Sequence, residues 1–391
     1  MTRRDVVITG IGLVSSLGEG PDAHWAALNN GAKPVVDAAS FAPFPVHPLP
    51  ALSLDAQIPK KGDQRQMEPW QRLGTYAAGL AIDHAGARGL VSDMHLVVAA
   101  GGGERDVAVD EAVTAALTSA APEASGALLN EKLATELRPT LFLAQLSNLL
   151  AGNISIVHGV TGSSRTLMGE EEAAADAIRI AAARLAEGRG EIALVGGAFA
   201  SQRWDMVLLY APGGVLWQGD YAPISARGDA GGLILGGMAA FLVLETAEHA
   251  RARGAKALAR IGGIASNAAH QRAGGGSAAS AAALWQGMAC DTAVLGVISG
   301  MTGVAEARVE EEAFLAGLGG AAVRRSGSVL GHGVEASFPA NIALAALALS
   351  QNGFYPKMDP ADAGDGAVER ILVTGFGQWR GEALALLEKA P

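Results

Sequence analysis

Few side chains in this sequence could do covalent or proton-transfer chemistry. It has one cysteine, Cys290, and eight histidines among 391 residues. One cysteine allows neither an intrachain disulfide nor a cysteine metal cluster, which fits a reducing compartment. Cys290 follows Gln286–Ala289 and reads as a small buried hydrophobe. Three consecutive glutamates, Glu170–Glu172, follow Gly169 and open an alanine-rich run, where acidic residues suit a first helical turn. His332 sits after a glycine and reads equally as a catalytic residue or a satisfied core histidine. His158 and His270 lack acid–base neighbours and read as loop or surface residues, and His249 to Arg253 as a solvated helix end. Lys60, Lys61 and Arg65 form a basic cluster that is, on its own terms, a solvated charge group. No metal or cofactor is expected.

The elements that must position these residues alternate in type. Asp5–Gly12 is a β-branched run ending in glycines, and His95–Ala100, Ile192–Val195 and Ala239–Glu245 are further buried strands. Trp70–Ala85 and Glu170–Glu187 read as helices. A similar succession begins again with strands at Ala257–Ala265, Val294–Ile298 and Arg370–Gly377 and an apolar helix at Phe338–Ser350. Interleaved strands and helices point to a layered α/β fold, and two rounds of them to an internal duplication. The halves are placed at 1–248, with an insertion at about 101–150, and 249–391. No Pro- or Ser-rich linker separates them, so one shared body is expected.

Half of the residues are apolar, 17% are charged, and the net charge is −10. The sign disfavours a nucleic-acid partner. The N-terminal residues show no signal-peptide pattern, and the alanine-rich run Ala336–Leu349 is too short to span a bilayer, so a cytoplasmic location without an integral membrane segment is expected.

Several segments carry a resemblance. Asp5–Gly18 (DVVITGIGLVSSLG), Asp63–Met67 (DQRQM), Asn148–Gly152 (NLLAG), Val195–Ala198 (VGGA), Phe241–Glu245 (FLVLE) with His249 and Arg253–Lys256 (RGAK), and Gly331-His332 resemble the β-ketoacyl-acyl-carrier-protein synthases, in order and nearly end to end. The resemblance implies a thiolase-like duplicated βαβαβαββ layered fold (α-β-α-β-α) and a dimer. It also implies a site: a cysteine at a strand-to-helix elbow that carries the acyl chain, two histidines that stabilise the enolate of a decarboxylating malonyl group, and a supporting lysine. Here the cysteine position falls on Glu171, reached without a gap from Asn148–Gly152 and from Val195–Ala198. The first histidine falls on Gly300, the lysine on Gly327, and the second histidine on His332. The late glycine loop survives as Thr374–Gly377, placing Phe376, Gly377 and Gln378 at the acyl pocket, with Trp379 and Arg380 in place of small residues. Lys61 and Arg65 fall where the family meets its acidic carrier protein.

A glutamate cannot hold a thioester, and three losses at separate points imply that condensation was abandoned. By resemblance, the chain is expected to be a chain-length-factor-like partner of an active ketosynthase paralogue and an acyl carrier protein, in fatty-acid or polyketide synthesis. Asp63–Gly74 (DQRQMEPWQRLG) also resembles the degenerate synthase paired with an active one in making the very-long acyl chain of lipid A. The alternatives are a malonyl-carrier decarboxylase or atypical condensing acyltransferase, and a scaffold whose acyl tunnel is filled. An ionised Glu171 would repel a malonyl carboxylate, which favours the partner role over the decarboxylase.

Overall fold

A computed structural model describes residues 3–103, 105–139, 141–267, 276–288, 295–366 and 368–390. Cys290 and His270 lie outside the described residues.

The first half runs β1 (Val6–Ser15), α1 (Pro69–His84), β2 (His95–Ala99), the insertion helices α2 (Val107–Ser119) and α3 (Ser125–Glu136), α4 (Leu149–His158), β3 (Ser164–Leu167), α5 (Glu170–Ala186), β4 (Ile192–Phe199), α6 (Trp204–Tyr210), β5 (Met238–Thr246) and α7 (Ala247–Ala252). The second runs β6 (Ala259–Asn267), α8 (Gly276–Gly287), β7 (Leu295–Ser299), α9 (Ala305–Ala316), β8 (Ala322–Arg325), α10 (Ser337–Ser350), β9 (Arg370–Phe376) and β10 (Glu382–Glu388). The main sheet has the order β8-β7-β9-β10-β6-β1-β5-β4-β2-β3. Read outward from the β6–β1 seam, each half gives its first strand, its last, its fourth, its second and its third. The duplicated thiolase-like α/β fold is therefore present.

Each element follows from its sequence. All ten residues of β1 are buried, as a β-branched run in mid-sheet should be. Gly10 and Gly12 let α1 lie directly on this strand, since a Cβ on either would enter the Ala77–Ala85 backbone. α1 starts at a capping box between Glu68 and Gln71, with Pro69 in its first turn. α5 and α10 pack against each other and form the middle layer between the two half-sheets. Alanine and glycine-poor apolar sequence suits this: α10 is buried from Phe338 to Leu349, and α5 buries Ala173, Ala174, Ala175, Ala177, Ala181 and Ala182.

The two ends of the sheet differ. At β8 the outward N–H of Val323 donates to Ala363 O (2.9 Å) and that of Arg325 to Asp362 Oδ1 (3.1 Å), so a turn of the same chain covers this edge. At the other end β2 is the sole sheet neighbour of β3 among the described residues. The insertion helices pack on each other, and α3 buries none of its described residues. Arg138 ties the insertion to the body through Glu68 (2.9 Å). No described helix is long and apolar enough to cross a membrane.

Candidate active site

The elbow lies where β3 ends and α5 begins. Gly169 has φ 146° and Glu170 has φ 57°, a left-handed conformation that a residue with a Cβ seldom adopts. This turn aims Glu171 inward, where it is 8% exposed. On the opposite side Gly331 and Val334 also have positive φ (72° and 43°), and the segment between them delivers His332. The His332 backbone is locked to β-bridge partners, its N–H to Ile234 O and its C=O to Gly236 N, both 2.8 Å.

The two side chains meet. His332 Nε2 lies 2.8 Å from Glu171 Oε1, and the Gln378 backbone N–H donates to the same oxygen at 3.2 Å. Ser337 Oγ stands 3.5 Å from His332 Nδ1. Donation from Ser337 to Nδ1 would leave the proton on Nε2, facing the carboxylate. Burial pushes the Glu171 carboxyl up, but the hydrogen bond and charge of His332, with the N–H groups of Glu171 itself and Gln378, outweigh burial and hold it below the ordinary carboxylate range. The pair is thus a carboxylate held by a histidine and an amide, and the space beside it is nearly full. A cavity of only about 10 Å³, room for about one water, remains among Glu171, Gly300, His332, Asn341, Thr374 and Phe376.

The structure brings Glu171, Gly300, His332, Phe376 and Gln378 to one place. Gly327 borders a second void of about 10 Å³, which His332 and Gly300 also line. Neither glycine leaves room for a side chain. A Cβ on Gly300 would lie 2.5 Å from Thr374 O and 3.2 Å from Asn341 Nδ2, and one on Gly327 2.8 Å from Met301 O. Phe376 is buried and its ring packs 6.0 Å from that of Phe314. Gly377 closes a tight turn with its N–H on Gly381 O (3.0 Å). Lys61 and Arg65 sit on a short exposed helix, Lys61–Gln66, with Lys61 Nζ on Asp55 at 2.5 Å, and neither lines the site.

Outside the elbow opens a cleft of about 870 Å³ bordered by Gly101, Met168, Glu170, Tyr210, Glu335 and Gln378, among others. Burial pushes the Glu335 carboxyl up to about 7, its own amide opposing this and the charges of Glu171 and Glu170 adding to it. Glu172 points the other way, onto Gly381, and burial with the charges of Glu382 and Asp176 pushes it up to about 8.

Residues 3–250 match the N-terminal domain of β-ketoacyl synthases. The chain belongs to the β-ketoacyl synthase family. It is 29% identical to 3-oxoacyl-[acyl-carrier-protein] synthase 2 of Vibrio harveyi over 274 residues, which is 68% of this chain and 63% of that protein. The tetracenomycin polyketide synthase ketoacyl synthase beta subunit of Streptomyces glaucescens is 31% identical over 277 residues, 67% of this chain and 63% of that protein. The match thus spans under two thirds of these relatives' own length. In solved structures, the ishigamide ketosynthase/chain length factor superposes with a TM-score of 0.82 at 21% identity, each chain covered in full. A β-ketoacyl synthase from Burkholderia phymatum gives 0.77 at 23% identity, again with full coverage of both chains. At these identities the structures speak for the fold alone.

Two readings of the sequence are corrected. His158 is buried, not a loop or surface residue: its Nε2 lies 2.8 Å from Thr75 O and its Nδ1 3.1 Å from Arg88 Nη1. His249 and Arg253 are not a plain solvated helix end, because they clamp the fully buried Glu245 at 2.7 Å and 2.5 Å. Each error took a polar residue at a helix end for a free one: His158 meets Arg88 from 70 positions away, and His249 and Arg253 turn back onto Glu245 in the strand just before them. Sequence reasoning also passed over Glu335. The signal was available, since it is an acidic residue within the apolar run Leu330–Leu349, three positions after His332.

Proposed function

We propose that this chain is a non-condensing β-ketoacyl synthase homologue that pairs with an active ketosynthase and its acyl carrier protein and helps set acyl chain length in fatty-acid or polyketide synthesis. The observation that carries the reading is the Glu171–His332 pair at 2.8 Å, at the strand-to-helix elbow on which, by resemblance, the family's cysteine position falls. A carboxylate there cannot carry an acyl thioester, and Gly300 and Gly327 leave no room for the other two groups.

Three further features support a partner role. The open edge of β3 can accept a strand from another chain. One relative is named a beta subunit and one structural neighbour a ketosynthase/chain length factor. A third solved structure, with a TM-score of 0.74, is described as a type II polyketide acyl-carrier protein in complex with its ketosynthase. The filled space beside Glu171 also suits a scaffold, and it suits a partner that acts across the interface rather than through its own tunnel. Malonyl decarboxylation is disfavoured, because an ionised Glu171 repels the substrate and Gly300 supplies no enolate donor.

The test is co-expression with an intact ketosynthase and carrier protein from the same source. A mixed dimer should co-purify, and product length should change when this chain is added. Recovery of a homodimer alone, with unchanged product length, overturns the proposal. Carbon dioxide release from malonyl-carrier by the isolated chain, abolished in Glu171→Ala, would establish the decarboxylase instead.

A further inference from the structure

The end of the sheet opposite the elbow carries a second pairing of a nucleophile with a base. β2, β3 and β4 run parallel, and Glu171 follows the C-terminal end of β3. At their N-terminal ends Ser163 Oγ lies 2.8 Å from His95 Nδ1, and His95 Nε2 lies 3.1 Å from Arg189 O. A carbonyl oxygen only accepts, so the proton of the neutral imidazole sits on Nε2, and Nδ1 accepts from the serine hydroxyl. The ring is held on two sides. His95 is the first residue of β2, and the turn carrying Arg189 presses on the ring, since a Cβ on Gly190 (φ 112°) would lie 2.3 Å from Nε2. A nucleophile, a base and a group that orients the base are thus in line, with a backbone carbonyl as the orienting group.

Two further features bear on chemistry. Arg184 Nη2, from α5, stands 3.4 Å from Ser163 Oγ, so a cation adjoins the oxygen that would become an alkoxide. His95 and Arg184 also border a cleft of about 540 Å³, within the range of small-molecule sites, where Leu90 and Ile192 offer apolar contact. Asp93 and Glu191 border it as well, and Glu191 is taken up by Arg4 (2.6 Å) and Thr246 (2.5 Å). Ser163 is exposed, and its hydroxyl turns toward β2 and α5 rather than out along the edge of β3.

We propose that Ser163 and His95 are the nucleophile and general base of a second site, which hydrolyses small carboxylic esters. Ser163 Oγ bonds to the ester carbonyl carbon as its proton passes to His95 Nδ1. The alcohol oxygen takes that proton as its bond to the carbonyl carbon breaks, leaving an acyl-serine. Water then attacks the acyl-serine, giving its proton to Nδ1, and Ser163 regains a proton as the acid leaves. Arg184 faces the negative charge that develops at each attack. The inference goes beyond the partner role and stands or falls separately, because that role rests on Glu171 and the outward edge of β3.

Two probes of the full chain on its own test it, an alkyl fluorophosphonate and p-nitrophenyl acetate. The fluorophosphonate should attach to Ser163, its phosphorus bonding to Oγ as fluoride leaves, and peptide mass spectrometry should find the label there. Release of p-nitrophenol should fall about hundredfold or more in Ser163→Ala and in His95→Gln. Arg184→Met should lower it about tenfold or more. Ser164→Ala, which removes the neighbouring hydroxyl, should leave both readouts unchanged. Thermal unfolding checks that each variant is folded, and Ser163→Ala, an exposed change, carries the test if H95Q does not fold. No label, label on another residue, or unchanged release by folded S163A overturns the proposal.

Discussion

The two halves of this molecule repeat one order of strands and end it differently. β8 closes the second half, and the chain returns over it so that Val323 and Arg325 find acceptors in the turn at Asp362–Ala363. β3 closes the first half, and Ser164 and Arg165 lie exposed. An uncovered parallel edge strand is a row of unsatisfied donors and acceptors, which native proteins cover, charge or pair. Because one half shows that this fold can cover its own edge, the edge of the other, bare among the described residues, supports the proposal that a second chain docks there. Exposed Met168 and Ile156, on the elements flanking β3, extend it with apolar area.

Proline can break that difference. The carbonyls of Ser163 and Leu167 accept from Leu96 on β2 and from Ala100 just after it, so by strand alternation the N–H of Thr166 points away from β2. Thr166→Pro should therefore spare the fold and abolish association, read as loss of the dimer in light scattering on the co-expressed protein. Val323→Pro removes a bond made inside the chain and should instead lower stability by roughly 3 kcal/mol, with association intact in whatever remains folded. If T166P still associates, the edge is not the interface.

The entrances to the paired helices make the same comparison at the site. α5 begins with three glutamates and α10 with none, yet each entrance has a residue of positive φ beside a buried acid, Glu170 before Glu171 and Val334 before Glu335. Glu171 has partners and Glu335 has only its own amide. Glu171→Ala should cost roughly 3 kcal/mol in urea unfolding at pH 7, since it strips a buried histidine of its carboxylate. Glu171→Gln can keep the contact to His332 and should cost about 1 kcal/mol. On the proposed reading, Glu171→Cys should supply a thiol but no condensation with malonyl-carrier, because Gly300 and Gly327 offer neither an imidazole nor an amine. Product from E171C alone would mean that the site is dormant rather than dismantled.

Much of this was legible in the sequence. β1, α1, α5 and α10 could be placed within a few residues, because long periodic or continuous apolar runs bounded by glycine or a cap specify their own type. The elbow at Glu171 came from ordered motifs on both sides. Other features depend on residues far apart in the chain. Whether a helix-end histidine is free depends on what lies beneath it, and His158 rests on Thr75 and Arg88, 83 and 70 positions away. The filled cavity behind Glu171 depends on Thr374, Asn341 and Phe376, which no local pattern assigns to one wall. The covering of β8 depends on a turn some forty residues later.

The pH response is the most discriminating, because the two entrance acids should respond with opposite signs. Glu335 is raised to about 7 from an ordinary value of 4.5, so between those limits the native state holds more protons than the unfolded chain. Stability falls as pH rises through that window, by on the order of 3 kcal/mol at most for this group. Glu172, raised to about 8, adds to the slope, so the parent should lose stability from pH 5 to pH 8 beyond what Glu335 explains. Glu335→Gln should match the parent near pH 5 and exceed it in melting temperature at pH 8. Glu171 is held below 4.5, so its contribution is full above that value and is lost as pH falls through its lower native pKa. Glu171→Gln should therefore be less stable than the parent at pH 8, and the gap should narrow as pH falls below 4.5. Melting curves of the three proteins across pH would cross if the partnered acid and the unpartnered one differ as the geometry requires. Parallel curves would mean that Glu335 has found a partner after all.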